Sequence, residues 1–416
     1  MKYIIKNNNK PLKGTIKISG AKNSALGIIA ATLLNEEPLE IKNIPNITDI
    51  TNLLETIELI GGKVNFKDNT LIIDNSDVIS DSIIDYDCIR KIRASYYLLG
   101  ALLGRFKKAI VAMPGGCKIG TRPIDLHLKG FEALGATTKL EDGNIIVEAN
   151  TLIGNTIFLD FPSVGATINI MLAAIYAEGT TIIKNAAKEP HVIDIANFLI
   201  ECGAIIYGAG TNEIKIEGCK TLHKTTYTVI PDQIEAGTFM VAATMTNGDI
   251  YIDNIIPNHL RCIALKLEEM GAIIEYEETK LHIKGPKEIN PTDIQTSAYP
   301  GFPTDLQPII AVALGLAKGN SLIEETIFDN RYIYVGELAR MGSKMKVSGN
   351  VNIIQGIPRY KGAIVNAPDL RGGAALVLAG LTTSRTTTIR DIEYIERGYE
   401  NFDEKLRILG VDIKKI

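Results

Sequence analysis

The sequence contains no tryptophan and only 6% of its residues are aromatic, so stacking platforms for nucleic-acid bases are scarce. Its five cysteines (88, 117, 202, 219 and 262) are scattered, with no Cys-x-x-Cys pair and no histidine at metal-ligand spacing. That argues against a disulfide framework or a zinc site and suits a reducing cytoplasm. Positive charge is not in excess: 44 basic against 48 acidic residues leave a net charge of −4. A general nucleic-acid or anionic-membrane binder is therefore not expected, and any anionic ligand must be held by a local cluster of cations. The most apolar runs, such as SALGIIAATLL at 24–34, are too short to span a bilayer, and MKYIIKNNNK has no signal-peptide pattern. The five histidines never join a serine or cysteine in a triad-like pattern, and His127 reads as a helix-surface residue or a ligand contact.

Apolar residues, by contrast, make up 46% of the 416, enough for more than one core. They are arranged periodically. An amphipathic helix ending at a glycine recurs six times: LLETIELIGG, HLKGFEALGA, IANFLIECGA, LKLEEMGA, VGELARMG and DEKLRILG. The terminal glycines, 61, 135, 203, 271, 342 and 410, lie 74, 68, 68, 71 and 68 residues apart and suit left-handed C-caps.

A second helix, apolar nearly all round and rich in small residues, recurs at the same period. Its copies are SALGIIAATLL, RASYYLLGALL, GATINIMLAAIYA, IEAGTFMVAATM, TDLQPIIAVALGLA and GGAALVLAGL, and such helices belong in an interior. Strand-like runs such as GTTIIKNA and GDIYIDNII lie between, and AIIEYEETKLHIKG reads as a hairpin. A unit of two helices and several strands, used six times in two groups of three, predicts two α/β domains with helices inside and sheets outside. A duplicated scaffold without catalysis fits the same periodicity.

Departures from this regularity cluster at the mouths of the inner helices. Lys22 and Asn23 open the first, and a helix start with a cation suits an anion, although a solvated lysine beside an ordinary cap fits equally. Arg93, then Ser163 and Gly165, Asp305, and Arg371 occupy the corresponding mouths of later copies. Asp305 is the exception in sign: either a carboxylate held ionised by surrounding cations and available as a base, or an N-cap. Arg331 and Arg397 sit in loops after strands, where arginine pairs in two-pronged fashion with carboxylate or phosphate, or does nothing. In PGGCKIGTRP (114–123), Cys117 lies between two glycines and near Lys118 and Arg122, as a working thiol or a small apolar filler.

SGAKNSAL, RASYYLLGALL, PGGCKIGTRPIDLHLKGFEALGA, SVGAT, PDQIEAGTFMVAA, PGFPTDLQP, DNRY and ERGYE occur together and in order. In this the chain resembles the UDP-N-acetylglucosamine 1-carboxyvinyltransferase family over essentially its whole length. The resemblance implies two inside-out α/β domains joined by a double crossover. One comprises 1–21 and 230–416, and the other comprises 22–229 and carries the Cys117 loop. It implies transfer of the enolpyruvyl group of phosphoenolpyruvate to the 3-hydroxyl of UDP-N-acetylglucosamine with release of phosphate, the first committed step of peptidoglycan precursor synthesis. No metal or organic cofactor, nucleic acid or membrane is implied as a partner, and the location is cytoplasmic.

By position, the resemblance makes Cys117 the proton donor, the carrier of a phosphoenolpyruvate adduct and the target of the epoxide fosfomycin. Asp305 receives the sugar hydroxyl proton, with Lys22 and Arg397 completing the catalytic set. Lys22, Asn23, Arg122, Arg331, Arg371 and Arg397 would hold phosphoenolpyruvate. Arg93, Arg122, Pro123, Ile124, Asp125, Leu126, Ser163, Val164, Gly165, Asp305 and Ile327 would contact the nucleotide sugar. One departure stands out: the family often has a lysine shortly before Ser-Val-Gly, where this chain reads Phe161-Pro162, so a diphosphate contact is missing or replaced. The sister transferase of the shikimate pathway lacks the Gly-Gly-Cys loop, and RNA 3′-phosphate cyclases need a histidine motif that is not seen here.

Overall fold

The computed structural model describes residues 1–6, 10–79, 83–90, 93–113 and 124–416, Arg93 by its backbone only. Contacts divide the described chain into two compact units, one between Gly20 and Ile230, the other comprising Met1–Ser19 and Pro231–Ile416. Each has a separate apolar core.

In the first unit the cores of the three copies are the helices Lys22–Ala31, Tyr97–Phe106 and Val164–Ala174, most of whose residues are buried. In the second they are Gln233–Met245, Gln307–Leu314 and Leu370–Leu381. None has a polar face, because each is surrounded by other helices and the inner face of a sheet. The amphipathic helices lie outside them: Thr48–Leu59, Asp125–Ala133 and Pro190–Glu201 in one unit, Arg261–Glu269, Val335–Arg340 and Phe402–Ile408 in the other. All six of their terminal glycines have positive φ, between 85° and 106°. Each glycine N–H and the next N–H return to carbonyls of the last turn, as Gly61 does to Glu58 (3.0 Å) and Gly62 to Ile57 (2.9 Å). This double closure satisfies carbonyls that a helix end would otherwise leave open.

Among the described residues there are six four-stranded sheets with one repeated order. An edge strand runs parallel to its neighbour, which pairs in turn with two antiparallel strands, a hairpin in five of the six. In one, Thr156–Phe158 lies beside Thr180–Lys184, followed by Glu213–Glu217 and Ile205–Tyr207. Thr181, Ile183, Ile214 and Ile216 point into the core while Thr180 and Lys184 face outward, the alternation of a half-buried sheet. Ile273–Glu277 and Lys280–Lys284 form the expected hairpin. Three sheets borrow a strand from far away in sequence: Thr226–Thr228 joins Leu39–Lys42, Lys13–Lys17 joins Asp249–Asp253, and Lys2–Ile5 sits between Thr387–Arg390 and Ile413–Lys415.

Candidate active site

Lys22 begins its inner helix and is only 9% exposed, so it is not a solvated lysine. Its Nζ lies 2.7 Å from Oδ2 of Asp49, a residue of the outer helix Thr48–Leu59. Asn23, next to it, is half-buried. Ser24 donates to Asp194, whose carboxylate also accepts from the Tyr227 hydroxyl at 2.6 Å and the Ile230 amide at 3.3 Å. Burial raises the Asp194 carboxyl above its ordinary range, against the opposing pull of those donors. The first helix mouth is thus fixed on two sides.

At the third mouth Ser163 caps its helix, its hydroxyl accepting from the Ala166 amide at 3.3 Å. Val164 and Gly165 follow as the first helical residues, half-buried, in the part of a helix where backbone N–H groups favour an anion. His127 is not on the surface but 7% exposed. The Asn169 side chain accepts from the Gly100 amide through Oδ1 at 2.8 Å, which turns its Nδ2 toward His127 Nδ1 at 2.8 Å. In the neutral imidazole this network assigns the proton to Nε2. A Cβ on Gly165 would stand 2.9 Å from that nitrogen, so a larger residue would have to push the ring aside. Ile124 and Leu126 are buried in the apolar core, leaving their backbone as what a ligand could meet, while Asp125 is exposed. Phe161 is 55% exposed and supplies no cation.

The other unit assembles a charged cluster. Asp305 lies in the short turn of helix Thr304–Leu306 and does not cap it, which removes the N-cap alternative. Arg331 donates to its Oδ1 at 3.2 Å, and Arg371 donates to its Oδ2 through Nε at 3.2 Å and Nη2 at 2.9 Å. Arg331 also donates twice to the Thr304 carbonyl, at 3.2 and 3.1 Å, and approaches Asp369 at 3.8 Å. Both arginines are buried, at 2% and 3% exposure, so Arg331 is far from the idle surface residue its loop position allowed. Burial alone would weaken the Arg371 charge, but Tyr399, Asp305 and Asp232 outweigh it and raise its pKa. Its guanidinium stands 5.1 Å from the Tyr399 ring centre. Asp369 is the N-cap of the inner helix Leu370–Leu381, accepting from the amides of Arg371 and Gly372 at 2.9 and 3.1 Å.

Asp305, Arg331 and Arg371 are therefore brought together. Arg397, half-buried, follows the short helix Glu393–Glu396 and precedes Tyr399 by two residues, and Ile327 is exposed on a turn. Lys22, Asn23, Ile124–Leu126 and Ser163–Gly165 belong to the first unit. Cys117, Arg122, Pro123 and the Arg93 side chain lie outside the described residues. Sequence reasoning missed Asp49, Asp369 and Tyr399. Asp369 carried a signal, an aspartate directly ahead of an apolar helix; Asp49 carried none.

The family profile described as EPSP synthase (3-phosphoshikimate 1-carboxyvinyltransferase) matches residues 6–406, and the chain belongs to this family of carboxyvinyl transferases. Its curated relatives are named for a different acceptor. The chain is 51% identical to UDP-N-acetylglucosamine 1-carboxyvinyltransferase 3 of Caldanaerobacter subterraneus subsp. tengcongensis, over 100% of this chain and 99% of that one. It is 49% identical to UDP-N-acetylglucosamine 1-carboxyvinyltransferase of Halothermothrix orenii, again over 100% and 99%. Among solved structures, the enolpyruvyl transferase NikO from Streptomyces tendae superimposes with a TM-score of 0.88 at 27% identity, covering 99% of this chain and 98% of its own.

Proposed function

We propose that this protein transfers the enolpyruvyl group of phosphoenolpyruvate to the 3-hydroxyl of UDP-N-acetylglucosamine, releasing phosphate, in the cytoplasmic synthesis of peptidoglycan precursors. The observation that carries this reading is the 51% identity, end to end, with a transferase named for that acceptor. The buried arginines around Asp305 support it, because the donor substrate carries a phosphate and a carboxylate.

On this reading the Cys117 thiol protonates the methylene carbon of phosphoenolpyruvate, and Asp305 takes the proton from the sugar hydroxyl as its oxygen bonds to the neighbouring carbon. The tetrahedral ketal then loses a proton from the new methyl group and expels phosphate, restoring the double bond. Cys117 also carries a thioether-linked adduct of phosphoenolpyruvate, and no metal or organic cofactor takes part. Lys22, Asn23, Arg122, Arg331, Arg371 and Arg397 hold the anionic donor. Arg93, Arg122–Leu126, Ser163–Gly165 and Ile327 hold the nucleotide sugar. The paired arginines add one feature to the scheme. An arriving phosphate competes with Asp305 for Arg331 and Arg371, and each guanidinium it draws away leaves Asp305 a stronger base.

Phosphate release measured with both substrates tests the reading. Release should require UDP-N-acetylglucosamine, and shikimate 3-phosphate should not replace it. Release with shikimate 3-phosphate alone would assign the chain to the sister activity instead.

A further inference from the structure

Glu325 has no part in that scheme, yet it is a carboxylate only 2% exposed. It lies just past the strand Asn320–Glu324 and gathers donors from three separate segments. Oε1 accepts from the amides of Ile327 and Phe328, at 2.9 and 3.2 Å, and from the Thr296 hydroxyl at 2.9 Å. Oε2 accepts from the Thr304 hydroxyl at 3.0 Å. Four donors are what a buried carboxylate needs to offset its lost hydration.

The segments it joins are those that matter. Thr304 immediately precedes Asp305, and its carbonyl accepts two hydrogen bonds from Arg331. Ile327 heads the exposed turn expected to meet the nucleotide sugar. The geometry points to Glu325 as a positioning residue for both: it fixes the backbone of the Ile327 turn and, through Thr304, the turn that carries Asp305 and anchors Arg331. This rests on the reading given under Proposed function, from which the roles of Asp305 and Ile327 come.

The work is geometric rather than electrostatic, which the hydrogen-bond chemistry makes testable. In Glu325→Gln the amide oxygen can keep the Ile327, Phe328 and Thr296 donors, and the amide nitrogen can donate to the Thr304 hydroxyl, which accepts as readily as it donates. Glu325→Ala keeps none of these bonds.

The experiment measures steady-state phosphate release and amide exchange at residues 327 and 328 in the full chain. Glu325→Ala should lower kcat by roughly ten- to a hundred-fold, as small misplacements of reacting groups do. It should also raise KM for UDP-N-acetylglucosamine and speed exchange of both amides. Glu325→Gln should stay within a few-fold of wild type on every measure. Thr304→Val, which removes one arm only, should lower kcat while leaving KM for the nucleotide sugar and both amides unchanged. It serves equally if Glu325→Ala fails to fold. Wild-type kinetics in Thr304→Val, or a folded Glu325→Gln as impaired as a full loss, would overturn the proposal. If wild type releases no phosphate, the functional reading fails instead, and exchange at the two amides still decides whether Glu325 fixes the turn.

Discussion

Arg371 gives the hydrogens of Nε and Nη2 to a single carboxylate oxygen of Asp305, while Arg331 holds the other oxygen. The carboxylate is thus both a candidate base and the counter-charge of two buried cations. Asp305→Ala should lower turnover by roughly 10²–10⁴. Binding of the nucleotide sugar should weaken far less, since one ground-state hydrogen bond contributes about 1 kcal/mol. Stability should also fall, by about 1–3 kcal/mol, less than for a fully enclosed pair because the Asp305 side chain is 30% exposed. Steady-state kinetics, calorimetry and denaturant unfolding check the three parts. Lost binding with intact turnover of bound substrate would make Asp305 a binding residue only.

Lys22 and Asp49 form an ion pair with side chains 11% and 5% exposed. Removing the cation alone, in Lys22→Met, should cost about 3–5 kcal/mol because Asp49 keeps its buried charge. The double change Lys22→Met with Asp49→Leu should regain most of that stability without regaining activity. Urea unfolding of the four combinations measures the coupling. Recovery of turnover in the double variant would remove Lys22 from the site.

Cys117→Ser should nearly abolish turnover, because a hydroxyl is a poor proton donor near neutral pH, whereas a thiol titrates close to it. Cys117→Asp should retain activity with a lower pH optimum. Fosfomycin should label wild type at one residue, found by peptide mass mapping, and leave the serine variant unmodified. Full turnover of Cys117→Ser would end its assignment as the acid.

His259 is half-buried, and its Nδ1 makes no hydrogen bond among the described residues. Burial lowers its pKa below the ordinary 6.5, so the fold favours the neutral ring. The unfolded chain then binds the proton more readily, and stability from this group is present above 6.5 and lost as pH falls toward the depressed folded value. The melting temperature of wild type should therefore fall more steeply below neutrality than that of His259→Gln. Parallel slopes would show that the ring titrates alike in both states.

The repeated architecture was legible because each copy writes the same two periodicities and ends its outer helix on a glycine that only a left-handed cap explains. The candidate residues were legible at the inner-helix mouths of each unit, Lys22 and Ser163 in one, Asp305 and Arg371 in the other, where they break an apolar pattern. What escaped were partners supplied by other elements. Asp49 looks like any acidic residue in a first helical turn, and nothing in its surroundings announces Lys22. Glu325 reads as the end of a polar strand edge until the fold brings Thr296 and Thr304 to it. His127 reads as a helix-surface residue or a ligand contact from sequence alone, whereas packing buries it and Asn169 bonds its ring. Such pairings depend on which helices pack together, and local sequence does not encode that.

The strand Lys2–Ile5 lies in the middle of the last sheet, and Lys2 and Ile416 exchange backbone hydrogen bonds of 2.8 and 3.0 Å. That strand is therefore synthesised hundreds of residues ahead of both its neighbours. The unit between Gly20 and Ile230 has its full complement of strands as soon as it is synthesised and can fold at once. The other must keep Lys2–Ile5 unpaired until translation reaches Thr387 and beyond.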